Sequence, residues 1–345
     1  MSFRSRMASL KIQRWLPGVI LSAGAIYFIS TLINMQGLQL ALQQTQPIIL
    51  AAGVVLYLIS LVARAAAWSI LLDRKATTWQ AFIAMNEGYL INNFLPFRLG
   101  ELARALLLGG ETGLGGVRVL STIIIERSFD LAIAAGLIIS LLPFALGLSW
   151  AKPVAIATLT VVLVGFLVLF LLARNRIPVE AWIEKKASGN EKIRKHVLPQ
   201  VDAFFLGLIA LRNPVQFISS LGLMLLSWAI AIIETYVILS QFVPGVQLWW
   251  CALGLGIIAL GIAIPSAPAS IGIWEASSIA AFSLFNIDAS SALAYGITTH
   301  LLNITINTAF GLYGLANSGK SISSLMHDLG LRPTEDNATM EQNNA

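Results

Sequence analysis

Arg98, Glu101 and Arg104 stand in the stretch NNFLPFRLGELARALLLGG, residues 92–110, beside Pro96 and Gly100 and among mostly apolar neighbours. If the chain from Arg98 to Leu108 is helical, the three fall at i, i+3 and i+6 within one face, where such neighbours pair. Two guanidiniums and one carboxylate leave a net positive charge. A guanidinium matches phosphate oxygens bidentately. A helix that starts just after Pro96 also aims backbone N–H groups and the positive end of its dipole at any nearby anion. The chemistry offered is phosphate binding, and a phospholipid headgroup supplies a phosphate. The same side chains also suit a membrane interface, where arginines set topology and snorkel towards water.

A second charged stretch, ERSFD, runs from Glu126 to Asp130 inside an apolar segment. Glu126 and Asp130 share a helical face, and Arg127 and Asp130 are at i and i+3. Ionisable residues inside a membrane span are costly, so they face an interior cavity and pair. Arg127 is expected to pair with Asp130 or to reach Glu101; the bland reading is a structural ion cluster that pins this helix to its neighbour. Paired carboxylates also serve acid–base catalysis, but no nucleophile, metal set or nucleotide loop accompanies them, so no enzyme activity is expected. Proton coupling through Glu126 or Glu101 stays open. The third stretch, SAPASIGIWEASS, follows Pro265 and contains Pro268, Gly272 and Glu275. Ser270 is a good helix N-cap, Gly272 permits close approach, and Glu275 sits where the helix dipole favours a carboxylate. The alternative is a well-capped helix start with no ligand. His300, Asn303 and Asn307 share one face of the last apolar segment and suit interhelical hydrogen bonds better than a metal. Arg64 either snorkels or pairs with an acid such as Glu87. Cys251 is the only cysteine, which excludes an internal disulfide and a thiolate metal cluster. No metal or cofactor is expected.

These residues must be positioned by membrane helices. Of the 345 residues 57% are hydrophobic and 11% charged, where a soluble protein carries about a quarter charged. Apolar runs of about 20 residues, long enough to cross the hydrocarbon core as helices, recur along the chain. The first, Trp15 to Ile33, lacks a small-residue cleavage site and reads as an anchor. Arg4, Arg6, Lys11 and Arg14 precede it, Asp73-Arg74-Lys75 follows the next run, and basic residues outnumber acids over 174–212. Basic loops stay cytoplasmic. The N-terminus, 73–79, 174–212 and the C-terminus are therefore inside, and 35–47 and 243–248 outside. Crossings fall at 15–33, 48–72, 119–142, 153–173, 214–242 and 291–316.

Two runs, 80–108 and 249–285, must return to their starting side, and each is broken near its middle, at Pro96 and at Pro265 and Pro268. Each is either a hairpin of half-helices or two full spans. The breaks resemble each other: PFRLGE begins at Pro96 and PASIGIWE at Pro268, half a chain length apart, each with a glycine four residues on and then an acid. The halves 15–142 and 153–316 then read span, span, hairpin, span. An odd number of crossings makes the second an inverted copy of the first, a transporter layout with broken helices at the repeat interface. The expected fold is an all-α polytopic membrane protein of about six full spans and two broken-helix hairpins, a membrane domain over 1–317 and a polar tail over 318–345. Segment 174–212 reads as a cytoplasmic amphipathic pair drawn to anionic lipid. Its mixed acids argue against nucleic acid.

NNFLPFRLGELARALLL, IIIERSFDLAI and IPSAPASIGIWEASSIAAF, in that order, resemble the lysylphosphatidylglycerol synthase transmembrane-region family of flippase-like membrane proteins. The resemblance covers roughly 50–316. The family pattern is a Pro, then Arg-x-Gly-Glu-x-x-Arg, then Glu-Arg-x-x-Asp, then a Pro-Gly break followed by Gly and Glu. Where that pattern has Pro-Gly this chain has Pro268-Ala269, one glycine fewer. In two-domain relatives a soluble domain aminoacylates phosphatidylglycerol; only a polar tail follows the last span here, so the expectation is the flippase-like part alone.

The resemblance and the motifs together imply a transporter that moves a phospholipid or polyprenyl-linked lipid between the leaflets of the cell membrane. Arg98, Glu101, Arg104, Glu126, Arg127, Asp130 and Glu275 would hold the headgroup, and Pro96, Gly100, Pro265, Pro268 and Gly272 would form the hinges. The alternative is a membrane-embedded lipid-modifying transferase, or an accessory subunit of one. A homo-oligomer or a partner lipid-modifying enzyme is compatible with either.

Overall fold

Prolines and capping side chains decide where the apolar runs become helices. In the computed structural model the described residues are 27, 35–43, 45–95, 99–146, 156, 160, 164, 171, 198–208, 213–264 and 266–318, and all their regular elements are helical. Except for isolated positions, the predicted crossings at 15–33 and 153–173 lie outside the described residues. So do most of 174–212 and the tail, together with Pro96, Arg98 and Pro265.

After α1 (Met35–Gln43), α2 runs over Pro47–Leu71. Pro47 opens α2, at a position whose N–H would have no helical partner in any case. Helix α3 (Thr78–Phe94) starts with a capping box: Thr77 Oγ1 accepts from the Gln80 N–H at 3.2 Å, and the Gln80 side chain accepts from the Thr77 N–H at 2.9 Å. Helix α3 ends into an extended Leu95, and α4 (Gly100–Glu111) and α5 (Gly116–Leu146) follow. Helix α6 (Leu198–Gly207) is the described part of the expected interfacial segment, and it packs on α5. Helix α7 (Pro214–Leu239) is capped by Asn213, whose Oδ1 accepts from the N–H groups of Val215 and Gln216. Helix α8 (Leu248–Ile262), a second break, α9 (Ile273–Ser283) and α10 (Ala289–Asn317) complete the order.

Helices α2 and α7 are long and apolar enough to cross a membrane. Both turn large apolar side chains outward, among them Val55, Ile59 and Val62 on α2 and Ile218, Leu225 and Leu226 on α7. Such side chains suit hydrocarbon. The two helices form the central pair and run antiparallel. The Gln46 N–H at the start of α2 donates to Gln241 Oε1 beyond the end of α7, at 2.6 Å. Gln216 near the start of α7 donates to Asp73 beyond the end of α2, at 2.8 Å. Midway, Ser60 Oγ lies 3.0 Å from Ser227 Oγ.

Each central helix continues into a helix, a break, a helix and a long helix. Within the first set α2 touches α3, α3 touches α4 and α4 touches α5; α7 to α10 repeat that chain of contacts. Between the sets, α3 packs on α10 and α8 on α5. The close approaches are made by glycines: Gly311 and Gly314 of α10 meet α3 at Asn86, Leu90 and Glu87, and Gly256 of α8 meets α5 at Ala134 and Ile138.

The second break corrects one expectation. Ser270 does not cap α9. Ala269 and Ser270 both have left-handed backbone, φ 56° and 57°, so the helix cannot begin there. It begins after Gly272, at φ 85°, where glycine has no Cβ to clash. Glu275 supplies the missing acceptor by taking the Gly272 N–H at 2.7 Å.

Candidate functional site

Helix α5 carries Glu126 and Asp130 one turn apart, and helical spacing turns both to the same side. Three guanidiniums converge on them. Arg64, from the last third of α2, grips Asp130 with both terminal nitrogens: Nη1 donates to Oδ2 and Nη2 to Oδ1, each at 2.8 Å. Its Nη1 also reaches Glu126 Oε1 at 3.3 Å. Arg104, from α4, donates to Glu126 Oε2 at 2.9 Å. Arg127 donates to Asp130 Oδ2 at 3.1 Å and lies 3.5 Å from Glu126. Trp228 of α7 donates its indole N–H to Asp130 at 3.0 Å, so the second set of helices also holds this carboxylate.

The centre of the cluster is deeply buried. Glu126 has no exposed surface and Arg104 keeps 1%. Arg104 lies over the Trp68 ring, 4.6 Å from its centroid, and Trp68 in turn donates to Thr122 at 2.9 Å. Three cations against two anions leave one net positive charge. Removing a charge from water is expensive, and only complete pairing with good geometry offsets the loss. The pairing is incomplete in a specific way: Nε and Nη2 of Arg127 and Nη1 of Arg104 are buried with no hydrogen-bond partner.

A cavity of about 730 Å³ lies between the two sets of helices. Arg64, Glu101, Arg127 and Asp130 line one side of it, with Tyr89 and Asn92. Glu234 of α7, Trp274 of α9 and Tyr295, His300 and Asn307 of α10 line the other, with Ala269 and Ser270 of the second break. Its size lies within the roughly 300–1,000 Å³ typical of small-molecule sites.

The second break is fastened to the cavity wall by His300. One ring nitrogen, Nε2, is 2.7 Å from the Ala269 carbonyl oxygen, and the other, Nδ1, is 2.6 Å from Glu275 Oε1. A carbonyl only accepts, so Nε2 carries a hydrogen. One further proton then lies between Nδ1 and the carboxylate. Trp274 stacks on the imidazole at 5.0 Å between centroids. At the first break Asn92 does the fastening: its Oδ1 accepts from the Gly100 N–H at 2.7 Å, and its Nδ2 reaches Glu101 Oε2 at 3.4 Å.

Of the residues expected from the sequence, Arg104, Glu126, Arg127 and Asp130 meet in one cluster. Glu101 lines the same cavity. Glu275 stands behind His300, and Arg98 is outside the described residues. Arg127 takes Asp130, as its spacing predicted. Arg64 takes Asp130 and Glu126 rather than Glu87, which lies against Gly314 of α10. Asn307 accepts from the Tyr57 hydroxyl at 3.0 Å, an interhelical hydrogen bond of the predicted kind. Among the described residues no cluster of histidine, cysteine or carboxylate side chains could hold a metal. Sequence reasoning missed Glu234, Trp228 and Asn92. Glu234 was visible as the lone acid of an apolar span.

The family described as Lysylphosphatidylglycerol synthase TM region matches residues 15–311, which include every residue named in the site. No curated protein and no solved structure was found to match the chain.

Proposed function

This chain belongs to the lysylphosphatidylglycerol synthase transmembrane-region family, and on that premise we propose that it is a lipid transporter rather than an enzyme, moving a phospholipid or polyprenyl-linked lipid between leaflets. The observation that carries the reading is the cavity itself: a volume of headgroup size at the interface of two matching helix sets, with a net-positive ion cluster in its wall. A headgroup phosphate would draw on the hydrogen-bonding capacity that Arg127 does not use within the protein. The apolar outer faces of α2 and α7 leave the acyl or prenyl chain in hydrocarbon.

In this reading α2–α5 and α7–α10 are inverted copies related by a pseudo-two-fold axis between Ser60 and Ser227. Its support is the antiparallel central pair, the matching order of elements and the reciprocal packing of α3 on α10 and α8 on α5. Rocking one copy against the other opens the cavity to each leaflet in turn. Positive charge in the loops orients the protein with both termini in the cytoplasm of a cell whose inner membrane it spans, and the basic segment 174–212 holds anionic lipid.

The test is leaflet exchange of lipids differing in headgroup, measured in proteoliposomes with the protein and with Glu101→Gln. Exchange above the protein-free rate is expected, falling to that rate in the variant while it stays folded and monodisperse. No exchange with any headgroup removes the transport reading. A new lipid species in the vesicles would instead establish a transferase.

A further inference from the structure

The two clustered acids of the cavity's charged side are already compensated. Glu126 and Asp130 share three guanidiniums, and Glu275 behind the opposite wall shares a proton with His300. Glu234 differs. It sits in the last third of α7 with 6% of its surface exposed, it lines the cavity, and among the described residues it has no hydrogen bond and no ion pair. The titratable groups on the helices packed around it are committed elsewhere. On α2, Tyr57 gives its hydroxyl hydrogen to Asn307, and Arg64 is held by Asp130 and Glu126. On α10, Tyr295 donates to Thr235 at 3.1 Å and His300 lies between Ala269 and Glu275. On α5, Arg127 faces Asp130 and Glu126. On α8, Cys251 is fully buried and carries no positive charge.

An ionised carboxylate so placed is largely withdrawn from solvent and has no counter-charge among the described residues, and a group in that position neutralises rather than remain charged. We propose that Glu234 is a reversible proton-binding site of the central cavity and that protons taken up and released there drive the lipid movement. The second half of this proposal rests on the transport reading; the first does not. A hydronium ion entering with cavity water gives its proton to a Glu234 carboxylate oxygen and leaves as water. When the cavity faces the other side, the acid's O–H bond breaks to a water molecule, which leaves as hydronium. No redox partner is needed. The position also relocates the coupling role from Glu126, whose charge three arginines fix, to an acid with no counter-charge among the described residues.

Two measurements decide it, both on the full chain in vesicles of phosphatidylglycerol and phosphatidylethanolamine. Infrared difference spectroscopy across a pH series should show a protonated carboxyl band that converts to carboxylate as pH rises and is missing from Glu234→Gln. A band unchanged in that variant, or no titrating band, overturns the proton site; the second result would mean that a headgroup amine or another cation neutralises Glu234. The second measurement imposes a one-unit pH gradient at zero membrane potential. With one proton per lipid it should drive about a tenfold leaflet asymmetry, since one pH unit is a tenfold difference in proton activity. Glu234→Gln should leave the leaflets even, and Glu234→Asp, which keeps a titratable acid, should retain the asymmetry. Equal asymmetry in wild type and Glu234→Gln overturns the coupling. If neither protein exchanges lipid, the transport reading fails and with it the coupling, while the infrared series still decides the proton site.

Discussion

At the first break the amide oxygen of Asn92 takes the Gly100 N–H at 2.7 Å; at the second the carboxylate of Glu275 takes the Gly272 N–H at the same distance. Both solve the problem set by a helix that starts at a buried glycine, where an unpaired backbone N–H is costly. The first solution uses a neutral amide, and the clustered charges of its half stand on α2, α4 and α5. The second uses a carboxylate, from the first turn of α9, and balances it with His300 on the long helix behind. Matching frames therefore support two chemistries. A cluster of five charges stiffens one wall of the cavity. A single shared proton ties down the other.

The largest effect should come from breaking the charged wall. Glu126→Gln leaves Arg104 buried without its ion pair and weakens the hold on Arg64 and Arg127. An uncompensated buried charge costs about 3–5 kcal/mol. His300→Gln on the opposite wall removes a hydrogen bond to one ionisable partner and one carbonyl, worth about 1.5–3 kcal/mol for the charged member. Unfolding in detergent should therefore destabilise Glu126→Gln more than His300→Gln. The reverse order would mean that the five-charge cluster is not what holds the first wall.

The two walls differ in how far the sequence discloses them. Arg127 with Asp130 could be read directly, because i, i+3 spacing on a helix is local geometry. Arg64 and Trp228 could not be assigned, since nothing local says which of several acids a side chain on another helix will meet. Glu234 carried a plain signal, one acid in a long apolar helix, but no second charge on that helix marks it as part of a site. The order of long helix, broken helix pair and long helix was legible for α2 to α5 and α7 to α10, because apolar length and proline position are linear properties. Ser270 misled because capping preference speaks for a residue type, whereas the two left-handed residues before Gly272 move the start of the helix.

The break glycines sharpen the contrast at an intermediate size of effect. A Cβ on Gly100 would collide with the Gly88 carbonyl of α3 and the Asn92 side chain, so α4 would have to move off α3. Overpacking of this kind costs about 1–3 kcal/mol. Gly272 is needed for its φ of 85° instead, and a left-handed L-residue costs about 1–2 kcal/mol. Gly100→Ala should also disturb the cavity, because Asn92 and Glu101 line it, whereas Gly272→Ala should lower stability with less effect on lipid exchange. Ala269 offers the opposite sign. It holds a left-handed φ of 56° where the family pattern has glycine, so Ala269→Gly should stabilise the break by under about 1 kcal/mol after the added freedom of the unfolded chain is deducted. Thermal unfolding of the three variants side by side is the measurement, and a stabilised Gly100→Ala would contradict the close contact of α3 and α4.

The smallest effect separates the two long helices by pH. Helix α5 starts beside Gly115, at φ 79°, with no acid in its first turn, whereas α10 is capped by Asp288, whose Oδ1 accepts from the Ser291 N–H at 3.0 Å. Partial burial pushes the Asp288 carboxyl up, but the hydrogen bonds from Ser291 and its neighbours outweigh that and hold it below its ordinary value. A carboxylate lowered in the folded state contributes stability that is fully present above its unfolded value, about 3.9. That stability is lost as pH falls through the lower folded value. The start of α10 should therefore fray below about pH 4, and the start of α5 should not. Asn caps about as well as Asp, so Asp288→Asn should keep the neutral-pH stability and abolish the acid response. Asp288→Ala should cost about 1 kcal/mol at neutral pH. Hydrogen exchange of the Ser291 region in nanodiscs, with the start of α5 as internal reference, reads this directly. An acid response of equal size at both helix starts, or one that survives in Asp288→Asn, would assign it to the membrane domain as a whole rather than to this cap.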